Sequence, residues 1–277
     1  MLSFFKKYVV LTYVCTIAVP VLITLVSFVM AGGIIMPTVA TVLSGFILLL
    51  SCFFLFQTSF RKRAEAEAQA HLNAYNEGCD PELFYQAGTQ VAAEIEKDLG
   101  RRPKETVDGV WYLAAYALAA ADLGHADEAE RYAQALLNAV PAQTSPLSQA
   151  IILVHMEPLI LRLHGAEAAK AVLTQASACL EGQEGESAAM LQAFLGNETR
   201  TVDDMIAGNT TQLVAYFMQI MRNEEQPMRM RVLYADAASQ ILAGTNDARE
   251  RACLQFVVEN GNALPVVEPA KQRLAAL

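Results

Sequence analysis

The segments that decide the architecture are YVVLTYVCTIAVPVLITLVSFVM at residues 8–30 and IIMPTVATVLSGFILLLSCFFLF at residues 34–56. Neither contains a charged side chain, and only Ala31, Gly32 and Gly33 separate them. Each has about 23 residues, or about 35 Å as a helix, whereas the hydrocarbon core of a bilayer is about 30 Å thick. They predict a transmembrane helical hairpin that occupies residues 1–63.

Basic residues flank this predicted hairpin on both sides. Lys6 and Lys7 precede the first segment, Arg61–Arg63 follow the second, and the turn is uncharged. The positive-inside rule then predicts a multi-pass protein of the cell membrane with both termini in the cytoplasm. Two alternatives are a pair of buried helices in a soluble protein and a signal peptide cleaved near Ala31. Both fit less well, because such long apolar runs are rare in globular cores and exceed the apolar region of signal peptides.

Small residues line one ridge of the second predicted span. Ala40 and Ser44 are four residues apart, as are Thr41 and Gly45, which is the spacing that lets transmembrane helices approach closely. These residues predict packing against the first span. The alternative is a homodimer formed through the second span.

Charge is unevenly distributed between the two parts of the chain. The net charge is −9, but residues 1–63 contain five basic and no acidic side chains. Residues 64–277 therefore carry 15 basic and 29 acidic side chains, a net charge of −14. An acidic body is repelled by nucleic acid and by anionic lipid headgroups, so we expect no nucleic-acid partner.

Residues 64–277 have the composition of an all-α domain, rich in Ala, Leu, Glu and Gln. Glycine and proline interrupt this part at short intervals, which predicts antiparallel helix pairs that stack on their neighbours. The predicted helices cover residues 81–99, 105–123, 126–139, 146–163, 166–180, 186–195, 202–207, 210–223, 228–243, 247–259 and 266–276.

One of these pairs, VWYLAAYALAAADLGHADEAERYAQALLNAVP at residues 110–141, resembles a tetratricopeptide repeat. Gly124 at the end of its first helix, Ala129 in its second and Pro141 at its close have the spacing of that family. The resemblance is degenerate, since the positions of the two usual aromatic residues hold Ala120 and Ala133.

Two further units resemble the repeat more loosely, near residues 146–180 and 228–260. The first retains Gly165 and the second retains Gly244, but the spacing between the glycines does not follow a regular period. The resemblance implies an α-solenoid of helix pairs, with a concave face that is lined by the first helix of each pair and holds a protein or peptide.

The repeat register assigns four residues to this concave face: Trp111, Asp122, His155 and Arg162. Trp111, the only tryptophan, has two interpretations. It is either a packing residue of the core or an aromatic anchor for a partner, as tryptophans at binding interfaces often are.

Motifs for catalysis or for cofactor binding are not found in the sequence. The four histidines have no second ligand at metal-binding spacing, although His155-x-Glu157 resembles the start of a zinc deaminase signature. Glycine-rich phosphate loops and the nucleophile elbow are also missing. We therefore expect neither a catalytic residue, a metal nor a cofactor, and a protein that is not an enzyme.

These observations together predict a membrane-tethered adaptor of bacterial type. Its hairpin would hold the helical domain at the membrane, and the concave face would bind a peptide or protein there. The alternative is an accessory subunit of a membrane transport, secretion or envelope complex, in which the hairpin is the interaction element.

Overall fold

The computed structural model describes residues 14, 16, 17, 21, 39–101, 107–143, 145–245 and 247–277, with the backbone alone at 39–50, 52, 57, 60, 61, 64, 107 and 108. The chain divides into two compact units, Met1–Gln69 and Ala70–Leu277. The sequence placed the corresponding boundary between residues 63 and 64.

Secondary structure in these ranges is helical, without a strand. The helices are α1 (Val39–Asn76), α2 (Pro81–Arg101), α3 (Val107–Asp122), α4 (Ala126–Ala139), α5 (Pro146–His164), α6 (Ala166–Cys179), α7 (Glu186–Ala207), α8 (Thr210–Arg222), α9 (Met228–Leu242), α10 (Ala248–Asn260) and α11 (Val267–Ala276). A short 3₁₀ helix, Val140–Ala142, follows α4. The expectation of an all-α protein is confirmed for the part of the chain that the structure describes.

Helix α1 contains most of the second apolar segment and continues without interruption through Lys62 and Arg63. This continuity follows from the sequence, because residues 57–76 contain neither glycine nor proline. Phe54 and Leu55 on α1 are 61% and 68% exposed.

Most of the predicted hairpin lies outside the described residues. Only four positions of the first segment are described, all of them helical: Val14, Thr16, Ile17 and Val21. The ridge of Ala40, Thr41, Ser44 and Gly45 lies on α1, but its side chains are outside the described part of the structure.

The best-matching helix pair consists of α3 and α4. Gly124 connects the two helices with a φ of +84°, a conformation that glycine adopts without steric cost. Ala129 is fully buried where the helices pack. Tyr116 and Tyr132 fill the space between the helices as an edge-to-face pair with ring centroids 5.5 Å apart. Aromatic packing is therefore present, but from positions outside the repeat register.

The same core extends to α2 through a close helix contact. A Cβ atom at Gly88 would lie 2.8 Å from the Tyr112 hydroxyl and 2.9 Å from the Tyr116 ring, so only glycine fits without displacing them. Phe84 of α2 packs against both tyrosines and stacks on Tyr75 of α1. These aromatic contacts bury the faces that join α1, α2 and α3.

Helix α7 differs from the prediction, because one helix, Glu186–Ala207, replaces two shorter ones. Gly196 lies within it, and the Thr201 hydroxyl donates to the Asn197 carbonyl instead of capping a new helix. A glycine inside a helix costs only about 1 kcal/mol. Burial of Leu195 and Val202 on either side, at 2% and 1% exposure, offsets that cost.

The C-terminal helices α8–α11 form a second hydrophobic core. Its fully buried centre includes Val232, Cys253 and Leu254. Cys79, in the turn between α1 and α2, belongs to the same core, and its carbonyl accepts a hydrogen bond from the Ala263 backbone. The last helices therefore return to the beginning of the Ala70–Leu277 unit.

Among the described residues, the helix with the length and composition needed to cross a bilayer is α5, Pro146–His164. Its Ile152, Leu153 and Met156 are fully buried against neighbouring helices. Helix α5 is therefore a core helix of the second unit.

Candidate functional site

Two of the four predicted groove residues lie together. Asp122 ends α3 and Arg162 lies in the last turn of α5, with Asp122 Oδ1 3.8 Å from Arg162 Nε. Arg162 is 54% exposed in its side chain, whereas that of Asp122 is 6% exposed. The last turns of α3 and α5 therefore lie side by side.

A third helix contributes to this position. Arg229, near the start of α9, donates from Nη2 to Asp122 Oδ2 over 2.9 Å. The Tyr75 hydroxyl donates to the same oxygen over 2.8 Å, and the Arg229 guanidinium lies 4.3 Å above the Tyr75 ring. Burial raises the pKa of Tyr75 well above its ordinary value, so the hydroxyl remains a donor. We call these four residues, Tyr75, Asp122, Arg162 and Arg229, the ionic junction.

The other two predicted residues lie apart from these contacts. Trp111 is half-buried on α3, with its ring edge-to-face against Tyr112 at 5.9 Å. His155 is exposed on α5. Desolvation by the surrounding protein nevertheless lowers the pKa of His155.

A second polar group joins α5, α7, α8 and α9. It consists of Glu157, Glu198, Tyr216 and Tyr234, here called the acidic–tyrosine cluster. The rings of Tyr216 and Tyr234 meet edge-to-face with centroids 6.0 Å apart. Glu157 is 5% exposed, while Glu198 and both tyrosines keep partial contact with solvent.

The charges within this cluster affect one another. Burial and, to a smaller extent, the nearby Glu198 carboxylate raise the pKa of Glu157 to about 7. Burial also raises the pKa of Glu198. The pKa of Tyr234 is raised by burial and then by Glu198. Helices α5, α7, α8 and α9 thus carry two carboxyl groups and two tyrosine hydroxyls whose charges influence one another's pKa values.

The sequence analysis did not identify the acidic–tyrosine cluster, although the sequence contains one feature that points to it. Glu157 is the only acidic residue in α5, a helix that is otherwise mostly apolar. A lone carboxyl group within an apolar helix indicates a buried charge with a special role. Tyr75 and Arg229 had no comparable signal, because their partner, Asp122, lies far away along the chain.

Groups of three or more His, Cys, Asp or Glu residues arranged to hold a metal ion do not occur among the described residues. Two open surface depressions are also present on the described part of the chain. One, of about 530 Å³, is lined by Gln192 and Arg200 among others. The other, of about 640 Å³, is lined by Arg222 and Arg249 among others. The depression of about 530 Å³ is also lined by the neighbouring carboxylates of Asp203 and Asp204.

A scan against protein-family models and searches of curated proteins and of solved structures found no match for this chain. Its function therefore has to be inferred from its own residues.

Proposed function

We propose that the chain is a membrane-anchored, non-enzymatic interaction protein. In this proposal the N-terminal hairpin lies in the cell membrane, and the Ala70–Leu277 unit is a tetratricopeptide-like domain in the cytoplasm. The domain binds a segment of a partner protein on the face lined by the first helices of its pairs. The ridge of small residues on α1 packs within the hairpin or between two copies of the chain.

The contact between Asp122 and Arg162 is the observation that carries the proposal. The repeat register assigns both residues to one face, and their charged groups are 3.8 Å apart. Adjacent first helices with a common polar face are what a tetratricopeptide-like groove requires. The exposure of Arg162 and His155 leaves part of this face accessible to a partner.

Membrane anchoring is supported by the first 63 residues. The two apolar segments are long enough to span a bilayer, and their basic flanks favour the cytoplasmic side. Phe54 and Leu55 present large apolar side chains outward on α1, as expected for a helix in contact with lipid.

Topology is tested by reporter fusions at the N-terminus and directly after Arg63. We expect cytoplasmic signals from both fusions, and resistance of the full chain to extraction from membranes at high pH. A periplasmic signal from the fusion after Arg63 would contradict the cytoplasmic location of the domain.

Partner binding is tested by photo-cross-linking in cells. A photoreactive residue at His155, on the proposed face, should give discrete cross-linked products with the full chain. The matched control is Gln255, exposed on α10. Equal products at both positions would contradict a groove-specific partner. Products that require residues 1–63 and bypass His155 would instead support an accessory subunit that interacts through its hairpin.

A further inference from the structure

We propose that the contact between the α1–α2 turn and the α10–α11 loop is a clasp that opens and closes in the folded domain. The turn contributes Gly78 and Cys79, and the loop contributes Asn262 and Ala263. When the clasp opens, the C-terminal core of α8–α11 separates as a unit from the turn and from α3, and the buried part of the ionic junction becomes exposed. The inference goes beyond the proposed function, since it concerns a movement of the domain itself and requires no partner.

Two hydrogen bonds hold the clasp, and both join distant parts of the chain. Asn262 Nδ2 donates to the Gly78 carbonyl over 2.7 Å, across 184 residues of sequence. The Ala263 amide donates to the Cys79 carbonyl over 3.2 Å. Gly78, Asn262 and Ala263 are exposed. Water can replace such bonds at little net cost, so the clasp can open without unfolding the helices on either side.

A single buried side chain of the turn enters the C-terminal core. Cys79 is fully buried there. In the described part of the chain, the other buried members of this core all lie between Leu213 and Ala270. The apolar contact that holds the turn against the core is therefore one small side chain.

The helices on the two sides of the clasp do not pack along one another. Helices α8–α11 pack closely among themselves, and among the described residues the one further helix that they contact extensively is α7, which precedes α8. Their connections to the first helices include the clasp and the ion pair between Asp122 and Arg229. Opening at this position therefore does not require a large helix–helix interface to break.

Backbone strain is concentrated at the same contact. Cys79 has a φ of +51° and Asn262 a φ of +46°, and no other non-glycine residue in the described ranges has a positive φ. This conformation is unfavourable for residues with a side chain, more so for cysteine than for asparagine, and persists where the surrounding structure imposes it. Opening the clasp releases the strain at both residues, which offsets part of the contacts that are lost.

The thiol of Cys79 reports the opening, and that of Cys253 is its matched control. Both are fully buried in the same core, but Cys253 lies in the middle of α10. The full chain is purified in a non-ionic detergent with Cys15, Cys52 and Cys179 replaced by alanine. Labelling of the two remaining thiols by N-ethylmaleimide is followed by mass spectrometry of the digested protein.

Each labelling rate is divided by the rate of the same thiol in the urea-unfolded chain, which removes differences in intrinsic reactivity. We expect the normalised rate of Cys79 to exceed that of Cys253 by at least about tenfold, because Cys79 is exposed by opening of the clasp and Cys253 only by unfolding of the core.

A variant of the clasp tests its hydrogen bond. Asn262→Asp removes the Nδ2 donor but keeps the size of the side chain and its tolerance of a positive φ. It should accelerate labelling of Cys79 about threefold or more and leave Cys253 unchanged. The matched control, Asn209→Asp, makes the same change at an exposed residue whose bond to Asp204 is local, and should alter neither rate.

A second variant tests whether the C-terminal core moves as a unit. Arg229→Lys keeps the positive charge but loses the fit of the guanidinium to Asp122. If the ionic junction opens together with the clasp, this change on α9 should also accelerate labelling of Cys79 about threefold or more. Melting temperatures measured in parallel establish that each variant is folded.

Three results would overturn the proposal. Equal normalised rates for Cys79 and Cys253 would show that the turn is released only when the core unfolds. Equal acceleration of both thiols by Asn262→Asp would show a general loss of stability. An effect of Asn262→Asp on Cys79 without any effect of Arg229→Lys would show that the turn frays alone while the C-terminal core stays in place.

Discussion

Asp122 at the end of α3 and Arg229 at the start of α9 form a buried ion pair, although 107 residues separate them in sequence. Their side chains are 6% and 8% exposed, and the bond between Nη2 and Oδ2 is 2.9 Å. The pair joins α3 to α9, which belongs to the C-terminal core. It also places α9 beside one end of the face that the repeat register assigns to a partner.

Breaking this ion pair should strongly destabilise the Ala70–Leu277 unit. Arg229→Met leaves Asp122 buried without its main cation, and loss of one partner of a buried pair costs about 3–5 kcal/mol. Chemical denaturation followed by circular dichroism measures the loss. The control is Arg249→Met, which removes the exposed pair between Arg249 and Asp247 and should cause a much smaller change. Equal effects of the two variants would contradict a special role for the Asp122–Arg229 pair.

Glu157 should make the stability of the domain depend on pH. Its folded pKa of about 7 lies above the value of about 4.3 for a free glutamate, so unfolding releases a proton between these values. The charge of Glu157 therefore destabilises the fold progressively as pH rises from about 4 to 7, by up to about 3 kcal/mol. Relative to the parent, Glu157→Gln should become more stable over this range.

Denaturation midpoints measured at several pH values test the Glu157 prediction. The stability difference between Glu157→Gln and the parent should grow towards neutral pH and then level off. Glu224→Gln serves as the control and should follow the parent at every pH. A constant difference between Glu157→Gln and the parent would show that the carboxyl group is not perturbed.

Added bulk at Ala129 should destabilise the pair formed by α3 and α4. Ala129 is fully buried, so Ala129→Leu forces strain or a helix shift that costs about 1–3 kcal/mol. Gln134→Leu adds an apolar side chain on the exposed side of α4 and should be close to neutral. If Ala129→Leu proves as stable as the parent, the tetratricopeptide register is wrong. The assignment of the four groove residues, which depends on that register, would then be wrong as well.

Comparing Trp111→Ala with Tyr112→Ala tests whether Trp111 is a packing residue of the core or an anchor for a partner. Tyr112 is 1% exposed, and Tyr112→Ala should cost about 3–5 kcal/mol through cavity formation. Trp111 is only half-buried, so Trp111→Ala should cost clearly less while weakening cross-linking to a partner. A loss as large as that of Tyr112→Ala, with unchanged cross-linking, would identify Trp111 as a packing residue.

Residues 64–277 should fold without the N-terminal segments. The Ala70–Leu277 unit contains both hydrophobic cores and both polar groups. We expect this fragment to be a soluble, monomer-sized, mainly helical species by circular dichroism and size-exclusion chromatography. Aggregation at micromolar concentration or substantial strand content would contradict this expectation.

Local chemistry was enough to predict the helices and the ends of several of them. Gly124 and Gly165 end helices because each adopts a positive φ that other residues avoid. The same local reasoning failed at Gly196, which lies inside α7. There, the apolar contacts of Leu195 and Val202 with other helices outweigh a weak local preference for a break.

The sequence by itself determined the helical class, the approximate helix boundaries, the two apolar segments and the acidic body. These properties follow from composition and from residues close together in the chain. Only the tertiary structure decided that Arg229 meets Asp122 and that Glu157 lies near Glu198, Tyr216 and Tyr234. Such pairings depend on how distant helices stack, and the periodicity of one helix carries no information about its remote partners.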